Sequence, residues 1–340
     1  MDGSDVEAAA RQAGRYRGGV VLAEVVRSGF VEGFHRGSIA VLDASGRLVA
    51  SAGDPGGAVF PRSSNKLMQA VAMLDAGLQP ADEAELALVA ASHLGEPMHT
   101  RRVKAMLDRA GLGAESLACP PDLPGAEAVR LDLLRAGGGP DRLFMNCSGK
   151  HAGMLLTCLA AGWPTAGYTA AGHPLQRAIR GAVEELAGEP VAATGVDGCS
   201  APVMAISLTG LARAFLAAVT APSGTSPRRV ADAMRTHPEL MSGTGAPDAR
   251  LMAAAPGLLS KSGAEGVAAV AVPGVGAVAV KIDDGAGRAR LPVVVAALGR
   301  LGIAGDHLAA IADTPVLGGG APVGSVRAIP ALVPAGTATG

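Results

Sequence analysis

The sequence predicts an α+β fold, with one antiparallel sheet flanked by helices. Three observations carry this: strand-like patterning near the N-terminus, a second set of strand signals beyond residue 265, and helical spacing between the two. Residues 1–330 read as one domain, with a sheet from 19–60 and 265–330 and a helical region, 61–260, inserted. Residues 331–340 are expected to fray.

Gly19–Arg27 is rich in valine, Arg36–Asp43 alternates apolar and polar, and Ala44-Ser45-Gly46 turns the chain into Arg47–Ser51, the pattern of a meander. Gly53-Asp54-Pro55-Gly56-Gly57 breaks the sheet. Ser64–Ala76 then spaces Leu67, Val71 and Leu74 on one helical face and stops at Gly77. Further helices are expected at Asp82–Ala91, Met98–Ala110, Gly149–Ala161, Pro174–Leu186, Ala201–Ala218 and Arg228–Arg235. Ser242–Pro247 reads as a Gly-rich loop. Val267–Val272 and Gly276–Ile282 form a hairpin about Pro273-Gly274-Val275, and Leu291–Leu301 a helix packed on it.

Composition removes several function classes. Net charge is −1, and the 29 basic residues are scattered, so no stripe exists for a nucleic acid. No apolar run approaches the ~20 residues of a membrane span, and the longest candidates, Val203–Leu208 and Ala264–Val272, fall well short. Met1-Asp2-Gly3-Ser4-Asp5 lacks the basic-then-apolar order of a secretory signal, which sets a cytoplasmic location as the expectation. Four cysteines are few for a disulfide framework in a chain this long. With aromatics at 2%, the core must be aliphatic and stacking platforms for bases or sugars are scarce.

Pro61-Arg62-Ser63-Ser64-Asn65-Lys66 sets Ser63 at a helix start with Lys66 three residues on, so both side chains leave one face. A serine hydroxyl is a weak nucleophile until a base takes its proton, and a desolvated lysine can do so. The alternative is a capping serine beside a surface lysine. Downstream, Ser260-Lys261-Ser262-Gly263 resembles the K-[ST]-G element that faces S-x-x-K in penicillin-recognising hydrolases; its plain reading is a polar turn. Ala91-Ser92-His93-Leu94-Gly95-Glu96-Pro97 joins two helices and presents Ser92, His93 and Glu96 on a loop, or merely caps the second helix.

Asn146-Cys147-Ser148-Gly149-Lys150-His151-Ala152-Gly153 and Gly195-Val196-Asp197-Gly198-Cys199-Ser200 each place a cysteine among residues that permit close backbone approach. Two thiolates with a His or Asp are a possible zinc set, although single cysteines in separate loops also occur as buried structural residues. Gly149-Lys150 is no phosphate loop, because the upstream glycine is absent and His151 replaces the Ser or Thr that holds magnesium. An amino-acid amide brings an ammonium and a carboxylate to its site, and Asp197 and Arg62 are the matching acid and cation. Arg62, His93, Glu96, His151 and Asp197 form the candidate substrate-binding set.

Taken together, Val26-Arg27, Glu32 with His35-Arg36-Gly37, Pro61-Arg62-Ser63-Ser64-Asn65-Lys66 with Gln69-Ala70, Ala91-Ser92-His93, Asn146–Met154, His173-Pro174 with Gln176, Gly195–Cys199 and Ser242-Gly243-Thr244-Gly245 carry a family pattern. From about Val21 to Leu301 the chain resembles the asparaginase II family, the serine-dependent class of L-asparaginase often called the rhizobial type. The resemblance implies a fold like the serine β-lactamases and glutaminases, and hydrolysis of L-asparagine to L-aspartate and ammonia. It implies Ser63 as nucleophile with Lys66 as base, and Ser92 with Lys261 as a second Ser-Lys pair, Lys281 being the alternative distal lysine. It also implies a zinc ion on Cys147, Cys199 and, unusually, Lys150, and a homodimer. Leu67 stands where the family commonly has Pro, and Ala246-Pro247 departs from the family after Gly245, which bears on the choice between asparagine and glutamine. Other readings are a penicillin-recognising serine hydrolase and a non-catalytic zinc-bearing binding protein on the same scaffold.

Overall fold

The computed structural model describes residues 15–329 together with Val333–Pro334. Apart from that pair, the tail expected to fray lies outside the described residues, as does the N-terminal stretch read for a signal.

Strands β1 (Val20–Arg27), β2 (Phe30–Asp43), β3 (Leu48–Ala52) and β4 (Ala58–Val59) open the chain, followed by a 3-10 turn at Arg62–Asn65. Six helices come next: α1 (Lys66–Asp75), α2 (Glu83–Val89), α3 (Pro97–Arg109), α4 (Glu127–Arg135), α5 (Ser148–Ala160) and α6 (Pro174–Ala187). Strands β5 (Ala193–Val196) and β6 (Pro202–Ser207) precede helices α7 (Leu208–Thr220), α8 (Ser226–Thr236), α9 (Pro238–Ser242) and α10 (Pro247–Ala254). The chain closes with β7 (Leu259–Ser262), β8 (Val267–Val272), β9 (Gly276–Ile282), α11 (Gly287–Gly299), α12 (Asp306–Ala312), β10 (Pro315–Gly318), β11 (Ala321–Ala328) and β12 (Val333–Pro334).

Both chain ends enter one antiparallel sheet, in the order β10-β11-β1-β2-β9-β8-β7, with β3 paired to β2 and β12 to β3. The fold is therefore the predicted mixture of helices and antiparallel sheet. Side chains alternate between the faces of a strand, yet Val267–Ala271 are all buried, so β8 is covered on both sides. Helices α7 and α11 both pack on β8 and β9. Alanines, valines and leucines supply most of their buried side chains, with Phe215 of α7 the one fully buried phenylalanine among the described residues.

Three local readings need correction. Strand β2 begins at Phe30, not Arg36, because Ser28 (φ 49°) and Gly29 (φ 83°) make a two-residue turn that folds it directly onto β1. Ala201–Ala218 is not a single helix. Its first part is β6, which pairs with β4 and β5 and is buried throughout, and a strand buried on both faces has no period to betray it. Helix α7 begins only where Ser207 Oγ accepts from Gly210 N–H at 2.9 Å. Finally, Ser260-Lys261-Ser262 is no loop, because it belongs to β7, the edge strand, whose Lys261 pairs with Ala269.

Candidate active site

The 3-10 turn that carries Ser63 sits against β7 and β8, and this docking requires Gly263. A methyl group at 263 would lie 2.5 Å from Pro61 O and 3.2 Å from Ser63 N, so only bare backbone lets the end of β7 approach the nucleophile candidate. Ser64 Oγ ties the turn to the same strand by donating to Lys261 O at 3.0 Å. Arg62 stands in the left-handed region (φ 50°), a conformation uncommon for a residue with a side chain. Among the described residues, Ser63 Oγ makes no hydrogen bond, and it lines a cavity of about 140 Å³ with Arg62, Cys147, Asp197, Cys199 and Ala264 among its walls.

Lysine is rarely buried without partners. Here Lys66, Lys150 and Lys261 are all among the largest fully buried side chains. Lys66 Nζ donates to Ala91 O at 2.5 Å and to Ser92 Oγ at 2.7 Å. The expected second pair, Ser92 with Lys261, is thus not the one formed, because Ser92 is held by Lys66. Lys261 Nζ instead donates to Ser262 O at 2.8 Å and lies 3.7 Å from Asp248. Burial pushes the Lys261 ammonium down to about 8, with the Asp248 carboxylate opposing and Lys66 assisting. Asp248 in turn accepts from Ser260 Oγ, Ser262 N–H and Ser262 Oγ at 2.6 to 2.9 Å, which fixes the inner side of β7. Lys281 is only half buried and bonds to Glu265 O and Ile282 O, so Lys261 is the lysine that shares the interior with Lys66.

The two thiols meet at the cavity wall. Cys147 is held well below the usual thiol range, first by the hydrogen bond from Cys199 and then by the Lys66 and Lys150 ammoniums, against the cost of burial. Cys199 is raised, chiefly because it shares that hydrogen bond as donor and is buried. Lys150 Nζ donates to Cys199 Sγ at 3.0 Å. Burial opposes the Lys150 charge, but the two sulfurs outweigh it and its pKa is raised. Gly149, next to Lys150, lets α5 pack on α2, since a methyl there would come within 2.6 Å of Leu88 O.

The candidate substrate-binding residues divide into two groups. Arg62 Nε donates to Asp197 Oδ1 at 2.7 Å, and both residues line the cavity. Burial would raise the Asp197 carboxyl, yet the Arg62 hydrogen bond and the Lys150 charge bring it below the usual range. His93, Glu96 and His151 are not on the cavity wall. His93 Nδ1 accepts from Gly95 N–H, so its Nε2–H donates to Ser148 Oγ at 2.9 Å, and its ring stacks on His99 at 4.8 Å. Burial holds His93 well below its ordinary value, so it is a neutral strut between the Ser92 loop and α5. Glu96 accepts from Thr244 N–H at 3.0 Å and holds the 242–247 loop. His151 Nδ1 lies 2.7 Å from Tyr168 OH, while its buried Nε2 has no hydrogen-bond partner and faces Cys199.

Two contributors escaped the sequence reading. Asp248, one residue past the expected Ser242–Pro247 loop, fell in no predicted element, and Glu265, 3.6 Å from Arg62, follows the K-S-G element without a motif of its own. A larger cavity of about 420 Å³ opens near α9 and α10, lined by His237, Glu239 and Arg250. It contains no nucleophile with a base beside it, which leaves the smaller cavity as the candidate site.

No group of three or more His, Cys, Asp or Glu side chains suited to a metal occurs among the described residues. The donors that do converge are Cys147, Cys199 and the Lys150 amine, with the unpartnered His151 Nε2 beside them.

Comparison with known proteins agrees with the motifs. The search of curated proteins finds no match. Among solved structures, Mglu in its native form matches with 18% identity and a TM-score of 0.39, over 73% of this chain and 59% of that chain. A candidate beta-lactamase from Bacteroides dorei DSM 17855 matches with 14% identity and a TM-score of 0.36, over 82% of this chain and 89% of that one. The chain thus spans about three fifths of the length of the Mglu chain. The family model for L-asparaginase II matches residues 23–328, a span that includes the Ser63 turn, both thiol loops and β7, and the chain belongs to the L-asparaginase II family.

Proposed function

We propose that this protein is an L-asparaginase that hydrolyses L-asparagine to L-aspartate and ammonia through an ester on Ser63. The observation that carries the reading is a Ser63 hydroxyl with no hydrogen bond among the described residues, on a small cavity whose Cys147 and Cys199 walls are backed by the buried Lys66 and Lys150, with Lys261 buried near Lys66. Ser63 Oγ attacks the carboxamide carbon. Its proton passes to Lys66, which takes it as the neutral amine; this amine donates to Ser92 Oγ and is the nearest base to the turn in sequence. Backbone N–H groups around Ser63 would receive the developing oxyanion. The proton then moves to the departing nitrogen, ammonia leaves, and water hydrolyses the ester with the same lysine as base. Lys261, with a pKa near 8, supplies a second amine poised between its charged and neutral forms.

Arg62 is the cation for the substrate α-carboxylate, with Asp197 orienting its guanidinium. The donor set fits zinc: Cys147, Cys199 and Lys150 would hold the ion, which when bound supplies positive charge for positioning the substrate beside Ser63. Lys150 must give up its proton to become a ligand, so loading is coupled to pH.

Ser63→Ala tests the assignment. Ammonia release from L-asparagine should fall by roughly a thousandfold or more with an unchanged melting curve. Near-normal turnover in that variant, or turnover of nitrocefin with none of asparagine, removes the reading.

A further inference from the structure

Glu265 has a positive φ (58°), in the left-handed region that favours glycine. With Gly266 (φ 67°) it closes the loop between β7 and β8, where Gly263 N–H donates to Val267 O at 2.9 Å. Glycine would make that loop without strain. The side chain it carries instead reaches the mouth of the Ser63 cavity, where Oε1 lies 3.6 Å from Arg62 Nη1, next to the lining residue Ala264. Lys281 Nζ anchors the Glu265 carbonyl at 2.8 Å, and bare backbone at Gly285 leaves room for the carboxylate, since a methyl there would come within 2.8 Å of Oε2.

The other acid at the cavity is already committed. Asp197 Oδ1 accepts from Arg62 Nε at 2.7 Å and from Gly198 N–H at 2.9 Å, and its side chain is only 12% exposed. An amino-acid amide brings two charges. Arg62 answers the carboxylate, and the ammonium needs an acid with free lone pairs and room to turn. Glu265, 63% exposed and in loose contact with Arg62, meets both requirements.

We propose that Glu265 is a substrate-recognition residue that binds the α-ammonium of the amino-acid amide at the mouth of the Ser63 cavity, an inference that rests on the asparaginase reading above. L-Aspartate and succinate differ only in that ammonium, so their inhibition constants against L-asparagine hydrolysis isolate the contact. In E265Q, inhibition by aspartate should weaken by about tenfold or more relative to succinate, the gain expected from a charge-assisted hydrogen bond. The loss on asparagine should fall on KM more than on kcat. E265G, which relieves the backbone and removes the carboxylate, should lose the same selectivity without losing thermal stability. An aspartate-to-succinate ratio unchanged in both variants overturns the assignment, whether the absolute rates stay or fall together. Wild-type protein that releases no ammonia from L-asparagine overturns the asparaginase reading and this inference with it, whereas an active wild type with unaltered variant ratios overturns the inference alone.

Discussion

Replacing Lys261 by Met should change how the stability of this protein depends on pH. The side chain is 1% exposed, and burial brings its pKa to about 8 despite Asp248 at 3.7 Å. In the unfolded chain a lysine titrates near ~10.4. As pH rises the folded protein therefore releases this proton first, and between the two values the unfolded chain binds more protons. Stability must then increase with pH across that window. Below the folded value both states are charged and the whole penalty of burying the ammonium is present; above the unfolded value it is gone. A gap of roughly two and a half units corresponds to about 3 kcal/mol. Urea unfolding of wild type and K261M between about pH 7 and about pH 10.5 measures it, and the difference between the two cancels the titrating groups that do not interact with Lys261. Wild type should gain on K261M by about 3 kcal/mol over the window. Parallel curves would refute the claim that this lysine is buried beside Lys66.

Two further outcomes test the site from other directions. Gly263→Ala must displace the Ser63 turn, because the new methyl would sit 2.5 Å from Pro61 O; kcat should fall by about tenfold or more for a stability loss of about 1–3 kcal/mol, and a normal kcat would mean that β7 does not set the position of Ser63. Protein equilibrated with zinc and freed of excess should retain about one ion per chain by metal analysis and melt higher than the chelated form, whereas C147S and C199S should retain none; equal zinc in those variants would move the metal elsewhere.

The parts of this site that were legible in the sequence are those set by local geometry. Ser63 and Lys66 are one helical turn apart, Cys147 and Lys150 another, and such spacings survive whatever the rest of the chain does. What the sequence hid depends on partners far along the chain. Nothing near Ser92 says that it bonds to Lys66 and not to Lys261, since Lys261 finds its partners elsewhere, in Ser262 O and in Asp248 of α10, 3.7 Å away. His93 reads as a substrate-binding candidate because it lies in a polar loop, yet its ring is engaged by Gly95, Ser148 and the stacked His99. Strand β6 was mistaken for helix because it is buried on both sides, and strand β2 was read short because the Ser28-Gly29 turn was overlooked.

The lysines explain why side-chain partners around the Ser63 cavity were hard to read. Each buried ammonium is costly unless paired, and the chain supplies a different answer to each: a carbonyl and a hydroxyl for Lys66, a sulfur for Lys150, a carboxylate for Lys261. A core selected only for stability would put leucine or methionine at such positions, and Leu67 and Met68 directly after Lys66 show that the helix accepts them. Retaining three buried lysines beside or behind the two thiols of one small cavity gathers costly buried charge in one part of the fold, the pattern expected where chemistry and not packing has chosen the residues.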